Sequence, residues 1–231
     1  MNKLLILIDI DGTLLHPGMT PRRSLAEAIH VHTGQRVEFT VPMLAGMTDP
    51  LIVANALDFL DIPDQDRDGL PDRILVTYLE ILAHYYLLAT DHHLYPGVLD
   101  LLNYLQAQPV RLGLITGNQE QGAIIKLKPF DLTRYFSMGV FSSDHPDRDQ
   151  LPPIALAKCC QQFGEDYRPD QVVVIGDTVR DVWCAHRNGM RAIAVVRHAD
   201  RRVAIAAENP DLIVEHFEDL TPVRDYLNTL I

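Results

Sequence analysis

The sequence predicts an α/β fold: a doubly wound parallel sheet with an all-helical domain inserted after its first strand. Three observations predict it. Short apolar runs alternate with helix-like segments, three of those runs end in clusters of Asp, Thr, Asn and Gly, and residues 16–92 carry helix signals without a convincing strand. Strands that alternate with helices imply parallel pairing, with both faces of the sheet covered. In such sheets ligands bind beyond the carboxyl ends of the strands, and all three polar clusters fall at that edge.

The first apolar run, Leu4–Ile8, reads as a buried strand and leads into Asp9-Ile10-Asp11-Gly12-Thr13. The opening Met1–Ile8 is too short for a signal peptide or a membrane span before it meets those aspartates. Val110–Ile115 leads into Thr116-Gly117-Asn118, and Val172–Ile175 into Gly176-Asp177-Thr178-Val179-Arg180-Asp181. Ala192–Val196 and Leu212–Val214 read as further strands, with Met138–Phe141 as another candidate. Between them, helices are expected over Gln119–Lys128, Pro152–Phe163 and Thr178–Asn188, stopped by Pro129, Gly164 and Gly189.

The insert starts with Thr20-Pro21, an N-cap followed by proline at the first helical position. Thr48-Asp49-Pro50 repeats that signal ahead of Leu51–Leu60, and Ile74, Tyr78, Leu82 and Tyr85 mark a third helix over Pro71–Ala89. The chain returns to the core near Tyr95-Pro96-Gly97. The expected division is therefore 1–15 and 93–231 for the α/β core and 16–92 for the helical insert.

Composition bounds the function. A chain of 231 residues, 47% hydrophobic and 22% charged, can bury a core and carry a smaller insert. A formal net charge of −11 argues against general affinity for nucleic acid or anionic membranes. Cys159, Cys160 and Cys184 have neither CxxC nor zinc spacing, so a reducing, cytoplasmic setting is expected. The histidines, including His30, His32, His92 and His93, lack a set of partners at ligand spacing and read as surface or packing residues.

The clusters suit one chemistry. Asp9 and Asp11, two apart on an extended segment, face the same side. Two carboxyl groups that close divide into a carboxylate and an acid. One can attack phosphorus while the other protonates a leaving oxygen and later activates water. Phosphate beside carboxylates needs a cation, and magnesium takes oxygen ligands. Asp9, the backbone carbonyl of Asp11 and Asp177 form a candidate partial shell, with Asp181 behind them. Thr116 offers a hydroxyl, and the N–H groups of Gly117 and Asn118 are expected to open a helix that favours an anion.

These three motifs, in this order, resemble the signatures of the haloacid dehalogenase-like hydrolase superfamily, in particular its phosphatases. The resemblance covers most of the chain, and the helical insert is similar to that superfamily's helical cap on a Rossmann-like core. It implies Asp9 as nucleophile, Asp11 as general acid and base, Thr116 as phosphate binder and Asp177 as ligand to Mg2+. The implied substrate is a small phosphorylated metabolite. The alternatives are a phosphosugar mutase using the same aspartates and a phospho-ligand-binding protein without turnover. One element departs from the superfamily. The stretch His145–Pro153, where a lysine is usual, has none, so Arg148 is preferred as the phosphate cation, with Lys126 as the competitor. Within the insert, Arg22, Arg23 and Met47-Thr48-Asp49 are read first as loop and helix cap, with a substrate-facing role as the alternative.

Overall fold

Every side chain of the first strand, β1 (Leu4–Ile8), is buried, and its alternate residues feed two different cores. Leu4, Ile6 and Ile8 belong to one, Leu5 and Leu7 to the other. A strand apolar on both faces is stable only inside a sheet covered on both sides. The computed structural model describes residues 4–197 and 199–231, so Met1–Lys3 of the opening run lie outside the described residues.

After β1 come β2 (Leu15–His16), α1 (Thr20–Thr33), α2 (Asp49–Phe59), α3 (Leu70–Tyr85), β3 (His93–Leu94) and α4 (Val98–Gln106). The core continues with β4 (Val110–Ile115), α5 (Glu120–Leu127), β5 (Met138–Val140), α6 (Leu151–Phe163), β6 (Val172–Gly176) and α7 (Val179–Arg187). It closes with β7 (Arg191–Val195), α8 (Ala199–Ala207), β8 (Leu212–Val214) and α9 (Thr221–Asn228). Six strands form a sheet in the order β5-β4-β1-β6-β7-β8, with every pairing parallel. Buried side chains of α4, α5 and α9 fill one face, and those of α6, α7 and α8 fill the other. The predicted doubly wound sheet is therefore the fold.

Beyond β1 the chain builds β4 and β5 on one side, then crosses to build β6, β7 and β8 on the other. This reversal opens a crevice at the carboxyl ends of β4, β1 and β6. The inserted helices have a core of their own, with Leu25 and Ile29 of α1, Ile52, Val53 and Leu57 of α2, and Ile74, Tyr78 and Leu82 of α3. The chain leaves and re-enters the core along an antiparallel ribbon in which Leu15 pairs with Leu94 and His16 with His93. Sequence reading placed no strand there, because two residues carry no periodicity. It also left α4, α8 and α9 unassigned.

Gly97, at the return to the core, has φ +78°, and a Cβ on it would lie 2.1 Å from the backbone carbon of Phe217. Gly97→Ala should therefore destabilise the fold by about 2–4 kcal/mol. Urea unfolding checks this. A loss below about 0.5 kcal/mol would show that the backbone there is not constrained.

Candidate active site

Asp9 leaves β1 with its amide still on the sheet ladder, donating to the Ile175 carbonyl at 2.9 Å. The chain then turns sharply: the amides of Thr13, Leu14 and Leu15 all donate to the Ile10 carbonyl. Gly12 makes the turn with φ +89°, and a Cβ there would lie 2.3 Å from Asp177 Oδ2. Glycine thus lets two loops of opposite origin touch. Arg197, just past β7, steadies the turn by donating to the carbonyls of Gly12 (3.2 Å) and Thr13 (2.9 Å). Its guanidinium lies 3.8 Å from the centre of the Tyr95 ring.

Carboxylate oxygens of Asp9, Asp177 and Asp181 lie within 4.8 Å of one another, and all three residues are buried. Asp181 belongs to the capping box of α7, where the Thr178 amide and hydroxyl donate to its Oδ2 at 3.0 and 2.6 Å. Arg148 reaches in from the loop before α6, and its Nη2 donates to Asp9 Oδ1 at 3.0 Å and also to Asp181 Oδ1. Arg201 on α8 donates to Asp177 Oδ2 at 2.9 Å.

Burial raises the Asp9 pKa to about 7; Arg148 opposes the rise, and Asp181 and Asp11 add to it. Burial, then Asp181 and Asp9, push Asp177 well above the usual carboxylate range. Two guanidiniums thus face three carboxylates, and Asp177 Oδ1 is buried without a partner. An all-oxygen donor set short of positive charge fits a hard divalent cation.

Asp11 faces a different group. Its Oδ2 accepts from Lys126 Nζ at 2.5 Å and from Asn118 Nδ2 at 2.9 Å, while its Oδ1 is buried and unpartnered. Asn118 also donates to Thr116 Oγ1 at 2.7 Å and accepts from Lys126 at 2.6 Å. Lys126, on α5, is buried. The structure therefore divides the two cations weighed from sequence, Arg148 to Asp9 and Lys126 to Asp11. Helix α5 opens later than expected, at Glu120 with Gln119 as its cap, because the Asn118 amide turns back to Thr116 Oγ1 (3.3 Å). The open amide at the helix start is that of Gln119, and it donates to Asp49 Oδ2 at 2.8 Å.

Asp49 is part of a loop that closes the crevice. The Asp49 amide donates to the Gly117 carbonyl at 2.7 Å, Thr48 Oγ1 to the Pro146 carbonyl at 2.6 Å, and Arg148 Nη1 to the Gly46 carbonyl at 3.4 Å. A Cβ on Gly117 would lie 2.1 Å from the Met47 carbonyl oxygen, so the two backbones are in direct apposition. Residues 46–49 thus cap α2 and also wall the site. The cavity measures about 390 Å³ and is lined by Asp9, Asp11, Thr116, Gly117, Asn118, Lys126, Arg148 and Asp177 from the core, with Arg22, Met47, Asp49 and Tyr78 from the insert. Arg23 is exposed and does not line it. Sequence reading missed Arg197 and Arg201. Their signal was the fourth strand end, after Val195, at the same edge of the sheet.

Fold and site together define a hydrolase of the aspartate-bearing α/β kind. A profile described as haloacid dehalogenase-like hydrolase matches residues 4–189, and the chain belongs to that family. Phosphoglycolate phosphatase 1 of Pseudomonas aeruginosa is 27% identical over 226 residues, covering 96% of this chain and 79% of that protein. Phosphoglycolate phosphatase of Mannheimia succiniciproducens is 28% identical over 225 residues, covering 95% and 97%. A mutant of CbbY from Rhodobacter sphaeroides, solved in complex with xylulose 1,5-bisphosphate, superposes with a TM-score of 0.74 at 18% identity, over 96% and 97% of the two chains. That last likeness speaks to the fold. Among the described residues no helix is long and apolar enough to cross a membrane.

Burial raises the Asp49 pKa to about 6, with Lys126 opposing the rise. A carboxyl whose folded pKa is raised contributes stability that is full below its unfolded value and is lost as pH rises through the folded one. Asp49→Asn keeps an oxygen acceptor and cannot ionise. It should therefore gain on wild type by on the order of 1–3 kcal/mol between pH 4 and pH 7.5, in paired denaturant titrations. A difference that does not change with pH would mean that Asp49 ionises freely.

Proposed function

We propose that this chain is a magnesium-dependent phosphatase that hydrolyses a small phosphomonoester through a phosphoryl group carried on Asp9. One observation supports this above the others: Asp9 and Asp11 line a single cavity, each with its own cation, beside Thr116. Relatives called phosphoglycolate phosphatases make phosphoglycolate the first substrate to test.

Asp9 attacks phosphorus, and the bond to the leaving oxygen breaks. Asp11 hands that oxygen a proton from Oδ1, the oxygen that Lys126 and Asn118 leave free. Asp11 then takes a proton from water, which attacks the phosphorus of the acyl phosphate and regenerates Asp9. Arg148 lies against Asp9 and offsets phosphate charge, while Lys126 orients Asp11. Thr116 and the Gly117 amide receive the phosphate oxygens, and Asn118, whose amide turns back to Thr116 Oγ1, holds that hydroxyl in place. Asp9, the Asp11 carbonyl and Asp177 would hold Mg2+, with Asp181 fixing Arg148 and the start of α7. The bound ion supplies charge neutralisation at the phosphoryl oxygens. Residues 16–92 act as the cap, excluding water and selecting the leaving group, and 1–15 with 93–231 act as the catalytic core.

The test is phosphate release from a panel of small phosphomonoesters, with and without magnesium. Asp9→Asn should abolish it, and Asp11→Asn should slow it by roughly 10²–10⁴-fold. Near-normal turnover by Asp9→Asn would end the nucleophile assignment, and isomerised sugar phosphate in place of released phosphate would favour the mutase. Arg148→Ala should lower kcat/KM by about 10²-fold or more, whereas Lys126→Ala should act mainly on kcat. Equal and small effects would reject the division of labour between the two cations.

A further inference from the structure

Five lysines and arginines line the cavity: Arg22, Lys126, Arg148, Arg197 and Arg201. Four are committed. Lys126 holds Asp11 and Asn118, Arg148 holds Asp9 and Asp181, Arg197 holds two turn carbonyls, and Arg201 holds Asp177. Arg22 is different: among the described residues it makes no hydrogen bond and no ion pair, although it is half-buried. It is also the one lysine or arginine that α1, α2 and α3 contribute to the lining.

Its position works against it. Arg22 lies in the first turn of α1, where the helix dipole disfavours a cation, and that turn contains no acidic residue. The insert lines the same cavity with Leu25, Val41, Leu44 and Ile52, whose side chains offer a guanidinium no acceptor. Asp49, the acid that the insert contributes to the lining, has its Oδ2 turned to the Gln119 amide. A half-buried guanidinium with five donors, held in a reaction cavity without a partner, is matched by an anion that arrives from outside. The phosphoryl group is not that anion, because Asp9, Thr116 and Arg148 face it from the core. The remaining source is the leaving group.

We infer that Arg22 receives a second anionic group on the substrate, a carboxylate on the alcohol portion of the phosphomonoester, and so selects short phosphorylated hydroxy acids over neutral esters. This rests on the phosphatase reading above and adds the chemistry of the leaving group to it. A cavity of about 390 Å³ suits a molecule of that size. Arg148 with Thr116 from the core and Arg22 from the insert would then hold the two ends of a short diacid.

The experiment uses the full chain with magnesium and two pairs of esters: phosphoglycolate against hydroxyethyl phosphate, and phosphoglycerate against glycerol phosphate. For wild type, kcat/KM should favour the acid of each pair. Arg22→Met should lower that acid-to-neutral ratio by about 10- to 100-fold, chiefly through KM, and Arg22→Lys should restore part of it. Circular dichroism and thermal unfolding of each variant show that the fold is kept. An unchanged ratio, or equal losses on both members of a pair, would overturn the inference and leave Arg22 a structural residue. Release of phosphate from neutral esters with no preference for acids in wild type would also overturn it while sparing the phosphatase reading. No release from any ester by wild type would overturn both.

Discussion

Asp9, Asp177 and Asp181 are taken out of water and held within one another's reach, and the rest of the site is organised around that repulsion. They come from two loops that only a parallel sheet brings together, one after β1 and one after β6. Buried carboxylates of like charge stay ionised only when cations or donors compensate them. Arg148 spans Asp9 and Asp181, Arg201 takes Asp177, and the Thr178 amide and hydroxyl take the remaining oxygen of Asp181. The compensation stops one charge short, and Asp177 Oδ1 has no partner. That shortfall suits the site to a divalent cation.

The insert meets the core through the loop over residues 46–49 and through the apolar contact of α3 with α5, where Leu79 and Leu82 lie over Gly122. The loop over residues 46–49 meets the loops after β4, β5 and β6 at Gly117, Pro146 and Thr178. Lys126 lies between the two halves, in contact with Asp11 and in the field of Asp49. One ammonium group thus serves a carboxylate of the core and one of the insert.

The core was legible in the sequence because parallel strands buried on both faces appear as short apolar runs, and because the polar residues ending Leu4–Ile8, Val110–Ile115 and Val172–Ile175 all fall on one edge. The helical insert was legible from Thr20-Pro21 and Thr48-Asp49-Pro50, which start α1 and α2. The pairings were not. Whether Arg148 or Lys126 meets Asp9 depends on how far each side chain reaches across the crevice, and the sequence contains no such distance. Arg197 and Arg201 were missed because an arginine after a strand has no motif; what it touches is decided by the sheet order. Asp49 read first as a helix cap. The cap of α2 is Thr48; Asp49 is the first residue of that helix, and its carboxylate serves the start of α5 in the core.

Asp9 is the proposed phosphoryl carrier, and the most direct measurement is an acid quench during steady-state turnover, followed by mass spectrometry of the peptide bearing Asp9. A phosphoryl adduct on Asp9, formed with magnesium and absent in Asp9→Asn, is the predicted result. Continued phosphate release with no adduct on Asp9, or with the adduct on another residue, would contradict it.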